Sequence, residues 1–192
     1  EKGAKAGPIE WNGRLTVIGA DASATQTLFK LFEQMPADCP PMLVVQHLGP
    51  GVVQGMVDKL DSQIAPRVVV AGADMPIEKG TIYFAPQGES HLVVSEWPNG
   101  QLKLLPRDPV AGERPSISLL FASAAKAATV DTIGLLLSDS DDGKGGANAI
   151  SGVRGHCISA AAGGGYILER GFASQEVKPA DLAKTLIGLL AK

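Results

Sequence analysis

A chain of 192 residues is long enough for one domain with a substantial core, and no apolar run approaches the about 20 residues that span a bilayer. Its residues are 45% hydrophobic but only 5% aromatic, so the core of a globular fold must be built mainly from aliphatic side chains. A formal charge of −3, without a cluster of lysines and arginines, argues against a nucleic-acid surface or a membrane-binding stripe.

The N-terminal residues and the two cysteines bear on the setting of the protein. Residues 1–13 lack the apolar centre of a signal peptide, so we interpret them as a linker or the trimmed end of a longer chain, and place the domain at residues 14–192. Cys39 and Cys157 have neither metal-ligand spacing nor a reason to pair. We expect both thiols to be reduced and surrounded by apolar side chains, which indicates a cytoplasmic protein.

Apolar periodicity predicts alternating strands and helices in the first part of the chain. The predicted order is a strand at 14–20, a helix containing Leu28, Leu31, Phe32 and Met35, a strand at 42–47, a helix containing Val53, Met56, Val57 and Leu60, and a strand at 67–72. Between about 80 and 105 the pattern changes to three short strands, and Asn99-Gly100 is typical of a hairpin turn. We therefore predict a β-hairpin insertion around 80–105.

The alternation returns after this insertion. The predicted order is a helix containing Ile117, Leu120, Phe121 and Ala124, a strand at 132–138, a helix near 144–153, a strand at 156–161, a loop-rich stretch at 163–172, and a last helix opened by Lys178-Pro179. Alternating strands and helices predict an α/β fold, with a doubly wound, mainly parallel sheet flanked by helices in a Rossmann-like, three-layer arrangement. Such sheets bind their ligands at the carboxyl ends of the strands.

Three predicted strands end in side chains that could carry chemistry. Asp21 ends the first strand region, His47 the second, and the acidic loop at 138–142 a later one. If these strands are neighbours, a carboxylate, an imidazole and a second carboxylate meet at one edge of the sheet. Simpler interpretations stay open, with His47 as a polar surface group and Asp142 as a solvated cap of the next helix.

Other polar residues have structural interpretations. Ser23 and Gln26 match the capping-box pattern, which makes Ser23 the predicted N-cap of the first helix. His91 and His156 have no supporting motif, and we interpret both as structural. The acidic loop at 138–142 misses the spacing of a calcium-binding loop, so neither a metal nor another cofactor is predicted.

Five segments give the most specific signal in the chain. They are VIGADASATQTL, PPMLVVQHLGPG, KGTIYFAPQGESHLVV, ERPSISLLFASAA and TIGLLLSDSDDGKGG, and within them Gln46-His47, Ala85–His91 and Arg114-Pro115-Ser116 are the most distinctive. In this order they resemble chemotaxis receptor methylesterases (CheB-type effector domains) over roughly residues 14–160. The resemblance implies a doubly wound parallel sheet. It also implies a serine–histidine–aspartate hydrolase that removes methyl groups from glutamyl esters on chemoreceptor helices.

The resemblance carries over only part of the family's catalytic machinery. His47 falls on the catalytic histidine and Asp142 on the catalytic aspartate, whereas Asp21 falls where the family has its nucleophilic serine. The family's Thr-Gly-Met-Gly loop, which contributes to the oxyanion site, is replaced by Ser138, Asp139, Ser140 and Asp141.

Two smaller departures from the family follow. Ser118 stands where the family usually has an aspartate. The family's Gly-Met-Pro stretch has no clear counterpart in residues 163–177. Each departure removes a residue that the family pattern contains.

These departures predict a pseudoenzyme. A serine triad works because the histidine takes the proton of an attacking hydroxyl, and a carboxylate has no such proton to give. We expect Asp21 instead to hold His47 as an ion-paired imidazolium. Loss of a triad member costs about four to six orders of magnitude in rate, and loss of one oxyanion donor costs about 3–4 kcal/mol more.

The predicted role is therefore binding or regulation in a chemosensory pathway. The expected partners are chemoreceptor cytoplasmic helices, a receiver domain or another chemosensory protein, with no nucleic acid and no membrane. Two alternatives stay open. One is an active, atypical esterase that uses Ser23 as its nucleophile.

The other alternative is a phosphohydrolase of the haloacid-dehalogenase type, whose first motif VIGADASAT also resembles. Asp21 would then be a covalent nucleophile toward phosphorus and Thr25 a phosphate-binding residue. Mg²⁺ would lie near Asp139, Asp141 and Asp142. This interpretation leaves the three distinctive segments of the methylesterase resemblance unexplained.

Overall fold

The computed structural model describes residues 8–160 and 170–192, and within them strands and helices alternate. The strands are β1 (Leu15–Asp21), β2 (Met42–His47), β3 (Arg67–Val70), β4 (Thr81–Phe84), β5 (His91–Val94), β6 (Leu102–Leu105), β7 (Thr132–Leu136), β8 (His156–Ser159) and β9 (Gln175–Glu176). The α-helices are α1 (Thr25–Glu33), α2 (Val52–Gln63), α3 (Ile117–Ala128), α4 (Asp141–Gly152) and α5 (Leu182–Leu190). Each helix predicted from apolar spacing is present.

The main sheet has the strand order β3-β4-β2-β1-β7-β8-β9, and all its neighbouring strands are parallel. The predicted doubly wound α/β fold is thus confirmed. From β1 the chain first builds the sheet toward β2, and later returns to add β7 on the other side of β1. A crevice opens outside the strand ends at such a reversal, which is where α/β sheets bind ligands. The reversal therefore places the end of β1 at the centre of the candidate site.

The predicted insertion around 80–105 is smaller than expected. Its first strand, β4, pairs with β2 and β3 inside the main sheet, and only β5 and β6 form an antiparallel ribbon. Every residue of β4 is buried, as expected for a strand with a layer of protein on both faces. The hairpin therefore begins at His91, and the loop joining its strands contains Asn99-Gly100. Most of the loop-rich stretch predicted at 163–172 lies outside the described residues.

Two apolar layers cover the sheet because successive side chains of a strand point to opposite faces. On one face Ile18 of β1 joins a core with residues of α1, α2 and α5. On the other face Val17 joins a core with residues of α3 and α4. With helices on both faces, only the ends of the strands stay accessible.

Residues 10–12 pair with the last residues of the chain. The backbone N–H of Asn12 donates to the Leu190 carbonyl (2.9 Å), and that of Lys192 donates to the Glu10 carbonyl (2.9 Å). This pairing brings part of the segment interpreted as a linker onto the domain. Cys39 and Cys157 are both free and buried, as predicted.

Burial raises the pKa of each of these thiols to about 12. The nearby Asp38 carboxylate adds to this rise for Cys39. Thiols with so high a pKa stay protonated at neutral pH and react slowly. Among the described residues, no helix is both long and apolar enough to cross a bilayer.

Gly146 sets how closely α3 and α4 approach each other. A Cβ atom at this position would lie 2.7 Å from Cβ of Phe121 and 3.0 Å from Cα of Ser118. We therefore expect Gly146→Ala to lower the free energy of unfolding by about 1–3 kcal/mol, because a packed core has no room for the methyl group. Chemical denaturation measures this change.

Gly188 in α5 is the matched control, because an added Cβ there would meet no atom within 4 Å. Alanine favours a helix over glycine, so Gly188→Ala should stabilise the fold by up to about 1 kcal/mol. If both substitutions stabilise the protein, the close approach of α3 and α4 is not rigid.

Candidate active site

Asp21 ends β1 directly opposite His47 of β2 in the strand register. Its Oδ1 atom accepts hydrogen bonds from the hydroxyl groups of Ser138 (2.9 Å) and Ser23, and from the backbone N–H of Ser23 (2.9 Å). Burial raises the pKa of Asp21, but hydrogen bonds from Ser23 and Ser138 lower it more, so the net pKa lies below its ordinary value. The carboxylate is thus held ionised by two serines.

Ser23 does not have the predicted capping role. The N-cap of α1 is Ala24, which makes no side-chain capping bond, and Asp21 caps the short 3-10 turn at Ala22–Ala24. The capping-box prediction was wrong because the aspartate two residues earlier already accepts the Ser23 N–H, as such side chains do in turns. The Ser23 hydroxyl donates to the same carboxylate.

His47 lies at the end of β2 with its side chain largely buried. Its Nε2 atom is 3.1 Å from the Pro115 carbonyl and 3.2 Å from Oδ2 of Asp142, while Nδ1 is 3.8 Å from Oε2 of Glu113. Burial lowers the pKa of His47, but the hydrogen bond with Asp142 and the charges of Glu113 and Asp142 raise it more, leaving the pKa above its ordinary value. These neighbours therefore stabilise the protonated ring.

The partner of this imidazolium differs from our expectation. Asp21 forms no ion pair with His47 within 4 Å, because its carboxylate faces Ser23 and Ser138. The predicted direct ion pair between Asp21 and His47 was therefore wrong. The close carboxylate is that of Asp142.

Asp142 is only 2% exposed although it opens a helix. Its Oδ1 accepts from the Ser116 hydroxyl (2.5 Å) and the Ser118 N–H (3.3 Å), and its Oδ2 from the Ile117 N–H (2.5 Å). These donors belong to the N-terminus of α3, where a negative charge is favourable. The solvated-cap interpretation of Asp142 was therefore wrong, because the carboxylate joins α4 to the neighbouring helix α3. Ser118, at the position of the family aspartate, also donates its hydroxyl to the Asp142 carbonyl.

The side chains of the acidic loop after β7 do not meet at one point. Ser138 is buried against Asp21, Ser140 is the N-cap of α4, and the exposed Asp139 and Asp141 lie on the outside. The Asp141 carboxylate accepts a hydrogen bond from the Lys144 ammonium group.

The described residues contain no group of three or more acidic, histidine or cysteine side chains arranged to hold a metal ion. The phosphohydrolase alternative required Asp139, Asp141 and Asp142 to share Mg²⁺. It is wrong, because the Asp142 carboxylate faces α3 and His47, while that of Asp141 faces Lys144.

The remaining polar residues of the motifs organise the backbone. Gln46 donates from Nε2 to the Asp21 carbonyl (3.0 Å) and to Oγ1 of Thr25 (2.9 Å), which ties β2 to the start of α1. His91 is fully buried, with Nδ1 accepting from the Ser116 N–H (3.0 Å) and Nε2 facing the Asp108 carbonyl. The structural interpretation of His91 is confirmed. His156 lies away from this site, with Nε2 3.1 Å from Nε2 of Gln175.

A cleft of about 490 Å³ adjoins His47, and its walls include Leu48, Gln87, Glu113 and Arg114. Gln87 shapes the cleft by donating to the carbonyls of Leu48 (2.8 Å) and Gly49 (2.6 Å). Sequence reasoning missed Glu113 as a site residue. It directly precedes the Arg114-Pro115-Ser116 motif, but no local pattern shows that its carboxylate faces an imidazole on β2.

Asp21 should contribute to the acid sensitivity of the fold. Because its pKa in the folded protein lies below the ordinary 3.8, the ionised carboxylate stabilises the fold above that pH. The contribution is lost as the pH falls through the folded pKa. Urea unfolding between about pH 5 and pH 3 should therefore show a steeper loss of stability for the unaltered chain than for Asp21→Asn. Equal slopes would show that the serine hydroxyls do not favour the ionised form.

Comparison with known proteins places this geometry in a family. The model of the CheB methylesterase family matches residues 16–163. The chain is 36% identical over 144 residues to protein-glutamate methylesterase/protein-glutamine glutaminase 1 of Dechloromonas aromatica, a match covering 74% of this chain and 40% of that relative. The protein-glutamate methylesterase/protein-glutamine glutaminase of Agrobacterium fabrum is 34% identical over 125 residues, covering 65% of this chain and 36% of the relative.

The fold is similar as well. The crystal structure of the Thermotoga maritima CheB methylesterase catalytic domain aligns with a TM-score of 0.86 and 25% identity, covering 93% of this chain and all of that domain. The chain spans about 40% of the length of the curated relatives it matches. Because the family model covers well over half of the chain and a relative exceeds 30% identity, the chain belongs to the CheB methylesterase family.

Proposed function

We propose that this domain does not hydrolyse glutamyl methyl esters and instead serves as a binding module in a cytoplasmic chemosensory pathway. One observation carries the proposal. The Asp21 carboxylate, at the position where the resemblance places the family nucleophile, is bound by Ser23 and Ser138, and no hydroxyl group of the described residues is hydrogen bonded to the His47 imidazole. Without an alcohol in contact with a base, the first step of ester hydrolysis has no attacking group.

The Ser23 alternative finds no support in this geometry. An attacking hydroxyl must give its proton to the imidazole, but the Ser23 hydroxyl donates to Asp21. The Asp21 carboxylate accepts this hydrogen bond, and its lowered pKa makes it a weak base. Asp21 is therefore poorly suited to take the proton from the Ser23 hydroxyl. An esterase built on Ser23 would need both the turn after β1 and the loop after β7 to rearrange.

Charge at the strand ends adds a second obstacle. Attack on an ester carbonyl places a negative charge on its oxygen, and a carboxylate about 4 Å away would oppose it by about 4 kcal/mol at an effective dielectric of 20. Asp21 is ionised there, and its pKa is below the ordinary value. The family loop that contributes to the oxyanion site is replaced by residues 138–141, which include two exposed aspartates. Both changes disfavour the transition state.

The proposed binding role rests on the His47–Asp142 pair and on the cleft beside it. His47 and Asp142 still meet, and a cleft of about 490 Å³ remains beside the imidazole. The relatives' names describe action on glutamate and glutamine side chains of proteins, so chemoreceptor cytoplasmic helices are the partner we favour. A receiver domain or another chemosensory protein are the alternatives that a binding experiment distinguishes.

Incubation of the purified domain with methylated chemoreceptor fragments tests the catalytic half, with released methanol as the readout. We expect methanol at the level of buffer alone, and a family catalytic domain assayed in parallel shows that the substrate is competent. Turnover above buffer that is lost in His47→Ala would overturn the proposal. Comigration of the domain with the receptor fragments on a sizing column tests binding, with receiver domains as the comparison.

A further inference from the structure

The two nitrogens of the His47 ring have different surroundings, and these determine where its protons lie. Nε2 faces the Pro115 carbonyl at 3.1 Å and the Asp142 carboxylate at 3.2 Å. The Pro115 carbonyl can only accept a hydrogen bond, so Nε2 carries a proton in the neutral and in the charged ring alike. Nδ1 is therefore the nitrogen that would have to act as a general base.

Glu113 stands at this second nitrogen. Its Oε2 lies 3.8 Å from Nδ1, its side chain is 46% exposed, and it lines the cleft beside His47. A carboxylate at this distance stabilises a proton on Nδ1, because opposite charges attract and the half-buried setting screens them only in part. The charge of Glu113 contributes to the raised pKa of His47.

The backbone holds Glu113 in a defined place. Val110 and Glu113 exchange two backbone hydrogen bonds, at 3.0 and 2.9 Å, across a tight turn whose central residues are Ala111 and Gly112. Both central residues have positive φ, 50° and 79°, as a two-residue turn of this hand requires. The next residue, Arg114, donates to the carbonyls of Gly88 and Arg107, both at 3.1 Å. These bonds fix the chain on either side of the carboxylate.

We propose that Glu113 is a positioning residue that keeps a proton on Nδ1 of His47 and thereby prevents the imidazole from acting as a base. This inference rests on the proposed loss of hydrolysis and adds a second cause for it. A ring protonated on both nitrogens cannot accept a proton, whatever residue stands at position 21. Because Glu113 lies in the cleft wall, an occupant of the cleft meets its carboxylate beside the imidazolium N–H.

Other charged groups around the imidazole have separate partners. Asp142, from α4, is bound by three donors at the start of α3 in addition to His47. Asp21, at the end of β1, is bound by Ser23 and Ser138 and acts on His47 only through space. The Arg114 guanidinium faces backbone carbonyls. Among the carboxylates of Asp21, Asp142 and Glu113, that of Glu113 is the one whose charge can be removed without taking hydrogen bonds from α3 or from the turn after β1.

NMR titration of the histidine ring signals tests the proposal directly. The chain has three histidines, and His156 serves as an internal reference because it lies on β8, away from the cleft. We expect Glu113→Gln to lower the pKa of His47 and to leave that of His156 unchanged. Glu113→Asp keeps the charge and should shift the His47 titration less than Glu113→Gln does.

Glu96→Gln is the matched control, since this exposed glutamate lies in the loop between β5 and β6. It should leave the His47 titration in place. A His47 titration that is the same in Glu113→Gln as in the unaltered chain would overturn the proposal, as would an equal shift in Glu96→Gln. Methanol release by the unaltered domain would refute the loss of hydrolysis, whereas an unmoved titration refutes only the role of Glu113.

Discussion

Asp142→Ala is expected to lower the free energy of unfolding by about 3–5 kcal/mol, although its family role is catalytic. The carboxylate is 2% exposed and accepts hydrogen bonds from Ser116, Ile117 and Ser118 at the start of α3. Removing it leaves these buried donors unpaired, and each unsatisfied group costs about 1–3 kcal/mol. The same substitution removes the carboxylate partner of His47. Urea or thermal unfolding at neutral pH measures the loss.

Two variants separate this explanation from a general effect of altering α4. Asp142→Asn keeps the shape and one acceptor oxygen, so it should lose less stability than Asp142→Ala. Asp141→Ala alters the exposed neighbour, whose carboxylate contacts Lys144 on the surface, and should leave the stability nearly unchanged. If Asp142→Ala costs no more than Asp141→Ala, the carboxylate does not join α3 to α4. The stability of the fold would then not account for the presence of an aspartate at position 142.

Asp21→Ser is expected to leave ester hydrolysis at least about 100-fold below that of a family catalytic domain, because an absent oxyanion donor alone costs about that much. The substitution restores a hydroxyl at the end of β1. It does not restore the loop at 138–141, and Ser138 remains beside the new side chain, where it now donates to and accepts from Asp21. Methanol release from methylated receptor fragments measures the rate.

The control for this experiment is the double variant Asp21→Ser with His47→Ala. Any hydrolysis gained by Asp21→Ser should disappear in the double variant, since the imidazole is the only base that the triad mechanism supplies. A single substitution that reaches the rate of the family would contradict the argument from the loop. It would mean that backbone donors at the site are already in place.

The pairing of His47 with Asp142 has two explanations, one catalytic and one structural. Catalysis needs a carboxylate to orient the imidazole, but the same carboxylate also binds the first N–H groups of α3. A residue with this second role is needed for stability whether or not the domain is catalytic, because replacing it would leave donors of α3 unpaired. The pairing of a histidine with an aspartate is therefore weak evidence for activity in this chain.

Much of the fold follows from the sequence because the signals are local. Apolar spacing along α1, α2 and α5 predicts their buried faces, and β2 was predicted with its observed bounds at 42–47. The insertion was placed less well, since β4 is a four-residue, largely apolar strand like the hairpin strands that follow it. Only its pairing with β2 and β3 shows that it belongs to the main sheet.

The candidate site divides in the same way. The sequence by itself determined which residues end the first two strands, namely Asp21 and His47, and its resemblance to the family predicts that a carboxylate replaces the family serine. The family resemblance already pairs His47 with Asp142, and the structure brings the two together. The tertiary structure alone decided the other partners: Asp21 with Ser138, His47 with Glu113, and Asp142 with α3. The physical reason is that hydrogen bonds and charges act over a few ångströms in space. The residues that they join lie on different strands and loops, so no pattern of neighbouring residues records them.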